Sequence, residues 1–161
     1  MPSALQRQLL RLATGEAASA LVAPVLHRID VPLLRLTHGR ASITRALTGL
    51  PVFLVEMRGA RSGRLRRTPL VLLAHGRAWV AIASSFGRPR HPAWYHNLTR
   101  NPECSIWLDG RPQPFRARPA LGAEREQHWD RAVALYAGFE KYRLRASERQ
   151  IPVLVLEPVE A

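Results

Sequence analysis

The sequence predicts an α+β fold in which a mainly antiparallel sheet closes into a barrel, with helices at its flanks. Three observations predict it. Short apolar runs rich in Val and Leu come in pairs joined by turn residues, helical segments interrupt the pairs without regular strand-helix alternation, and 161 residues at 47% hydrophobic content suffice for one core. A chain of this length and apolar content is one domain over residues 1–161, not a disordered polycation. It divides into an N-terminal helical segment, 1–36, and a barrel core, 47–159.

Taken in order, Leu5, Leu9, Leu12, Leu21 and Val25 recur at helical spacing up to about Leu36, with breaks at Gly15, Pro24 and Pro32. Arg7, Arg11, Arg28 and Arg35 lie among them. The pattern fits a segment resting on an anionic membrane surface and also a helix packed on its own domain, the reading we favour. The apolar run Ala17–Leu26 has about half the ~20 residues of a bilayer span and contains Ser19 and Pro24. Glu16 interrupts any secretory signal after Arg7 and Arg11. The expected location is the cytoplasm, with the inner membrane face as the alternative.

Pro51–Arg58 and Thr68–Ala74 read as a strand hairpin, and Ala78–Ser84 as a third strand after His75-Gly76-Arg77. Pro92–Asn101 reads as a short helix with proline in its first turn. Cys104–Leu108 and Gln113–Arg118 form a second hairpin around Asp109-Gly110-Arg111-Pro112. Helices follow over Ala123–Tyr136 and Glu140–Ser147, and Ile151–Leu156 closes the series as a buried strand. The lone Cys104 excludes an internal disulfide and reads as a packed thiol in a strand.

The formal net charge is +12, and all basic residues but Lys141 are arginine. Arginine favours forked recognition of phosphate or carboxylate, although a GC-rich genome produces the same bias. The charge is densest at Gly59-Ala60-Arg61-Ser62-Gly63-Arg64-Leu65-Arg66-Arg67, where two glycines allow backbone N–H groups to converge on an anion. A solvated basic hairpin tip has equal weight from charge alone. No Gly-Lys-Ser/Thr ending marks a nucleotide-triphosphatase phosphate loop.

A second basic knot, Arg88-Pro89-Arg90-His91-Pro92, precedes Trp94 and Tyr95. Basic loops beside aromatics suit nucleic acid, but no helix-turn-helix or similar signature accompanies them, and the aromatics equally suit a flat cofactor. Paired catalytic acids, shared metal ligation by His91 and His96, and a serine-hydrolase elbow at Ser84 or Ser85 all lack the required pattern. A hydroxyl at Ser84 reads instead as a donor to a ligand. Tyr136, Phe139 and Tyr142 repeat every three residues, which suits core packing first and the roof of a pocket second.

The segments Gly59–Leu70, Ile82–Gly87 (I-A-S-S-F-G), His91–Pro102 (H-P-A-W-Y-H-N-L-T-R-N-P) and Ile151–Pro158, with a weaker match over Leu47–Leu54, resemble the deazaflavin-dependent nitroreductase family. The match runs in order over nearly everything after Leu33. It implies a split β-barrel of the FMN-binding type and an oxidoreductase that uses reduced coenzyme F420, with FMN a poorer fit. It also implies no metal and no covalent nucleophile, because the deazaflavin supplies the hydride and the protein positions it.

By this resemblance, Arg61, Ser62, Arg66, Arg67, Thr68 and Pro69 follow the anionic tail and ring. Ile82, Ala83, Ser84 and Ser85 line the deazaflavin, and Ala93, Trp94, Tyr95, His96 and Asn97 close the other side. Leu70, Val71 and Phe139 complete the cofactor contacts, and Ser84, Tyr136 and Tyr142 are the expected catalytic hydroxyls. The expected partner is a small quinone-like, nitro or other conjugated electron acceptor. Some nitro-reducing relatives have tyrosine where this chain has Val71 and Phe139, so quinones of the menaquinone kind are expected to outperform bulky nitroaromatics. A non-catalytic F420 or flavin carrier is the first alternative and a basic nucleic-acid-binding domain the second. No nucleic-acid partner is expected, and the sequence leaves the oligomeric state open.

Overall fold

Runs of alternating Val, Leu and Ile become strands here because each alternate residue finds apolar cover on one side of the sheet. In the computed structural model the described residues are 29–37 and 39–160. The periodicity from Leu5 to Val25, the Ala17–Leu26 run and the membrane-surface reading of Arg7, Arg11 and Arg28 lie outside them. The strands are β1 (Val52–Arg58), β2 (Leu65–His75), β3 (Ala78–Ile82), β4 (Glu103–Leu108), β5 (Arg111–Pro119) and β6 (Val153–Pro158). They close as β1-β2-β3-β6-β5-β4, with β4 returning to β1 and every pairing antiparallel. Closure leaves the sheet without a free edge.

The period of two sorts the core. Val55, Met57, Leu70, Leu72, Ala81, Ile106, Phe115, Leu154 and Leu156 fill the barrel interior. The alternate residues Val80, Ile82, Val153 and Val155 face outward, where helices α4 (Gly122–Leu135) and α5 (Gly138–Ala146) cover them with Trp129, Ala132, Phe139 and Tyr142. On the other outer face, Val52 and Leu54 pack against Leu34 of α1, helical over its described residues 29–36. Helix α3 (Ala93–Arg100) covers one end of the barrel, with Leu98 buried and Trp94 and Tyr95 against the interior cluster. No described helix is long and apolar enough to cross a membrane.

Helix α2 (Ile43–Thr48) was not legible as a helix in our reading. Its signals are Ser42 at the N-cap, accepting from the Arg45 N–H, and Gly49 in the left-handed region at its end. Asp30, 2% exposed, accepts from the Ile43 N–H at 2.6 Å, the Thr44 N–H at 3.2 Å and the Ser42 hydroxyl at 3.1 Å. It therefore ties α1 to α2. Asp30→Ala is expected to lower stability by about 2 kcal/mol, the range for hydrogen bonds to a charged group. A urea midpoint equal to that of the wild type would show the capping to be dispensable.

Two boundaries shift for physical reasons. Strand β2 begins at Leu65 because Arg66 and Arg67 pair with Met57 and Glu56, so the basic loop shrinks to Gly59–Arg64. The second hairpin turns in two residues, Asp109 and Gly110, at φ 50° and 82°. Pro112 and Pro114 therefore belong to β5, at positions before its pairing with β6 begins at Phe115, where no ladder hydrogen bond to that strand is lost.

His128 is 1% exposed, and neither ring nitrogen has a hydrogen-bond partner. Burial holds its pKa below the ordinary histidine value, helped by His75, Arg131 and Arg118 and opposed by Glu124. The folded state thus favours the neutral ring. Stability is complete above the unfolded histidine pKa of about 6.5 and declines as pH falls through it toward the lower folded value. Urea midpoints measured between pH 7.5 and pH 5 should fall with acidification, less so in His128→Phe. Parallel profiles for the two proteins would assign the decline to other groups.

Candidate functional site

Antiparallel closure brings the end of β1, the start of β2, the end of β3 and the start of β6 to one end of the barrel. The β1–β2 loop is a folded turn: the Gly59 N–H bonds to the Arg64 carbonyl and the Gly63 N–H to the Gly59 carbonyl, each at 2.9 Å. Gly63 has φ +64°, the conformation that glycine permits. A Cβ on Gly59 would lie 2.8 Å from Ser62 Oγ and 3.4 Å from the Arg64 carbonyl, so a larger residue there would push the Ser62 hydroxyl aside. Asn97 Oδ1 accepts from the Ala60 N–H at 2.9 Å and fastens this loop to α3.

Among the described residues no carboxylate pairs with the exposed Arg61, Arg64 or Arg66. Arg67 differs: its Nε lies 2.6 Å from Glu56 Oε2, and its guanidinium stands over Trp107 at 5.2 Å. Strand alternation divides the predicted run. Arg66, Thr68 and Leu70 share the face of Met57, Val55 and the barrel interior, whereas Arg67, Pro69 and Val71 share the opposite face with Glu56, Leu54 and Val52. Leu70 is buried inside the barrel, and Val71 packs with the Leu34 cluster.

Strand β3 ends at Ile82, so Ser84 and Ser85 follow it in a turn instead of ending the strand. Ile82 and Ala83 are buried, and Ser84 is half-buried with no capping bond from its hydroxyl. Ser85, Phe86 and Gly87 then take φ 50°, 57° and 77° in succession. For a phenylalanine this is a true outlier, of the kind that persists only where surrounding structure holds it.

Tyr142 is 4% exposed and Tyr136 half-buried, with their hydroxyl oxygens 3.2 Å apart. Burial, then the hydrogen bond to Tyr136, pushes the Tyr142 pKa far above the ordinary phenol range, so at neutral pH it is an O–H group. Phe139 is buried between them, its ring centroid 5.6 Å from that of Tyr136 and 6.2 Å from that of Tyr142. Phe86 meets Tyr142 edge-on at 5.7 Å, which links the strained turn to the tyrosine pair.

On α3, Ala93 and His96 are exposed and Trp94, Tyr95 and Asn97 half-buried. His91 stacks obliquely on Tyr95 at 4.8 Å. Our sequence reading missed Arg149, which follows α5 and binds the Ala83, Ser84 and Arg88 carbonyls and His91 Nδ1. An arginine only donates, so His91 Nδ1 accepts and the ring carries its proton on Nε2. Burial first, then the Arg149 charge and His96, keep the His91 pKa below the ordinary value. No sequence spacing signals contacts across 58 to 66 residues.

Cys104 is buried in the barrel interior, and burial pushes its pKa up to about 12, as suits a packed thiol. No group of three metal-ligating side chains occurs among the described residues. Gly138 has a different role. A Cβ there would overlap the ring and hydroxyl of Tyr136, although its backbone lies outside the positive-φ region. Gly138→Ala is expected to displace Tyr136 at an overpacking cost of about 1–3 kcal/mol, read as a lower urea midpoint. An unchanged midpoint would show that Tyr136 can move aside without consequence.

The arrangement suits a flat, polyanionic ligand. Among the described residues Arg61, Arg64 and Arg66 are exposed with no carboxylate partner, Asn97 ties their loop to the aromatic helix α3, and Ser84 and Tyr136 keep half-buried hydroxyl groups. The sequence profile of the F420H(2)-dependent quinone reductases matches residues 26–158. The F420H(2)-dependent quinone reductase Rv1261c of Mycobacterium tuberculosis strain H37Rv is 33% identical over 135 residues, covering 81% of this chain and 89% of that protein. A solved F420-H2 dependent reductase (FDR-A) superposes with a TM-score of 0.61 at 35% identity, over 66% of this chain and 94% of its own. A second solved structure, described as a domain-swapped dimer, gives 0.63 at 30% identity over 83% and 99%. These likenesses also identify the closed barrel as the split-barrel type. By its sequence and its fold together, the chain belongs to the F420H(2)-dependent quinone reductase family, oxidoreductases whose cofactor is coenzyme F420.

Proposed function

We propose that the chain reduces quinone-like acceptors with F420H2, binding the cofactor tail at Arg61, Arg64 and Arg66 and the acceptor beside Ser84, Tyr136 and Tyr142. The observation that carries this reading is one continuous chain of contacts. The basic loop joins α3 through Asn97, α3 is preceded by His91, Arg149 joins His91 to Ser84, and Phe86 joins the Ser84 turn to Tyr142 and Tyr136. Three stretches far apart in sequence, the basic loop, Ser84–Asn97 and Tyr136–Arg149, thus make one rim.

When bound, reduced F420 supplies a hydride from its deazaflavin ring. The chain's own residues then have three tasks: the arginines hold anionic groups, the buried Ile82 and Ala83 and the α3 aromatics exclude water, and the hydroxyls face the oxygen that gains charge. Hydride transfer to quinones in preference to nitro compounds, a cytoplasmic location and the individual site residues belong to this proposal. Absence of tyrosine at Val71 and Phe139 supports the quinone preference, because neither side chain offers a donor to a nitro group.

The test is cofactor binding and oxidation by the purified chain. F420 should bind in preference to FMN, because three unpaired arginines suit a tail longer than one phosphate, and its affinity should fall with added salt. Oxidation of F420H2 should be faster with a menaquinone analogue than with a bulky nitroaromatic. Equal or tighter FMN binding would overturn the tail assignment. Tight F420 binding without oxidation by any quinone would make the chain a carrier instead.

A further inference from the structure

Arg149 carries a role that neither the family nor the sequence assigns. Its Nη2 donates to the Ser84 carbonyl at 2.7 Å and its Nε to the Arg88 carbonyl at 2.9 Å. These two acceptors bracket Ser85, Phe86 and Gly87, the three successive residues at positive φ. Nη1 reaches the Ala83 carbonyl at 3.3 Å and His91 Nδ1 at 2.9 Å. No carboxylate pairs with this cation among the described residues, so its charge is spent on carbonyl dipoles and one imidazole. The Arg149 N–H is itself held by the Ala146 carbonyl, and Ala83 N–H by the Pro152 carbonyl, so both sides of the clip are anchored to the same α5–β6 connection.

A turn with two non-glycine residues in the left-handed region costs energy and needs external bonds to persist. Arg149 provides them at both ends. We propose that Arg149 is a positioning residue: it clips the strained Ser85–Gly87 turn shut, thereby fixing the Ser84 hydroxyl relative to the His91 side of the cleft. The inference rests on the proposed acceptor site at Ser84, but the clip itself is testable without cofactor.

In Arg149→Met, hydrogen exchange at the Gly87 and Arg88 amides, which bond to the Ser84 and Ser85 carbonyls, should accelerate at least tenfold, while amides of β1 and β2 stay protected. His91, freed from its donor, should gain the Nδ1–H tautomer by nitrogen NMR. Quinone turnover should fall about a hundredfold, the scale of an ångström-level misplacement of a reacting group. Arg149→Lys should recover part of it, because an ammonium reaches some of the acceptors without the fork.

Strain supplies the decisive control. Phe86→Gly removes the phenylalanine's share of the left-handed penalty and leaves that of Ser85, so adding Arg149→Met to that variant should cost only about tenfold in turnover. An equal loss in both backgrounds, or unchanged amide exchange in Arg149→Met, overturns the clip. Faster exchange together with wild-type turnover leaves the clip in place but removes Ser84 positioning from the reaction, which overturns the proposal as stated. A wild-type chain that oxidises no F420H2 fails the acceptor-site reading, and amide exchange still decides the clip.

Discussion

Tyr136→Phe is expected to lower quinone turnover by about ten- to a thousandfold, and Ser84→Ala by a similar factor, with little change in F420 affinity. The upper end corresponds to loss of one oxyanion-hole donor. A quinone oxygen becomes more negative as hydride arrives, so a hydroxyl aimed at it stabilises the transition state more than the bound substrate. Tyr142 is buried and Tyr136 half-buried, so Tyr136 is the one able to present its O–H outward, with the Tyr142 hydroxyl oxygen 3.2 Å from its own. Tyr142→Phe should accordingly cost less than Tyr136→Phe. Steady-state F420H2 oxidation with a menaquinone analogue measures all three. If Tyr136→Phe and Ser84→Ala both keep wild-type turnover, cofactor positioning alone accounts for the activity.

Arg61→Ala and Arg66→Ala should each weaken F420 binding by roughly 1–3 kcal/mol, about 5- to 150-fold, without altering the unfolding midpoint. Both side chains are exposed and unpaired, so their removal strands no partner. Arg67→Ala behaves differently because it leaves Glu56, only 16% exposed at its side chain, beside Trp107 without its cation. It should cost stability as well as affinity. Arg77 is the appropriate reference, since it lies in the β2–β3 turn, at the opposite end of β2 from the loop, with its side chain 78% exposed. Arg125 is unsuitable: it bonds to the Ile151 carbonyl and lies over Trp129. Fluorescence titration of F420 should separate the two loop arginines from Arg77, and equal effects at all three would reduce the loop to generic charge.

The fold was legible because period-two apolar runs and glycine-bearing turns are local signals. Asp109-Gly110 and the Val153–Leu156 run announce a hairpin and a buried strand without tertiary information. The rim was legible only where motif resemblance named it. Arg67 reads like its neighbours in sequence, yet the pleat turns it toward Glu56 and away from Arg66. Phe86 gives no local hint of a left-handed backbone, since a residue of its kind normally avoids it. Arg149 and Asp30 act through contacts that only the closed chain creates.

Strand order carries a consequence for the sequence of events in folding. The last strand, β6, lies between β3 and β5 and closes the barrel opposite the β1–β4 seam that already joins the two hairpin systems. Until it inserts, β3 has one neighbour, the sheet has two open edges, and Ala83 lacks the Pro152 carbonyl that anchors it. Pairings this distant in sequence form late and slowly. A sheet that lacks β6 has five strands and exposed edges at β3 and β5, the form most prone to pairing with a neighbour. Residues 149–158 thus do two things at once: they close the barrel, and through Arg149 and Pro152 they hold the Ala83–Ser84 backbone, contacts that a sheet still open between β3 and β5 lacks.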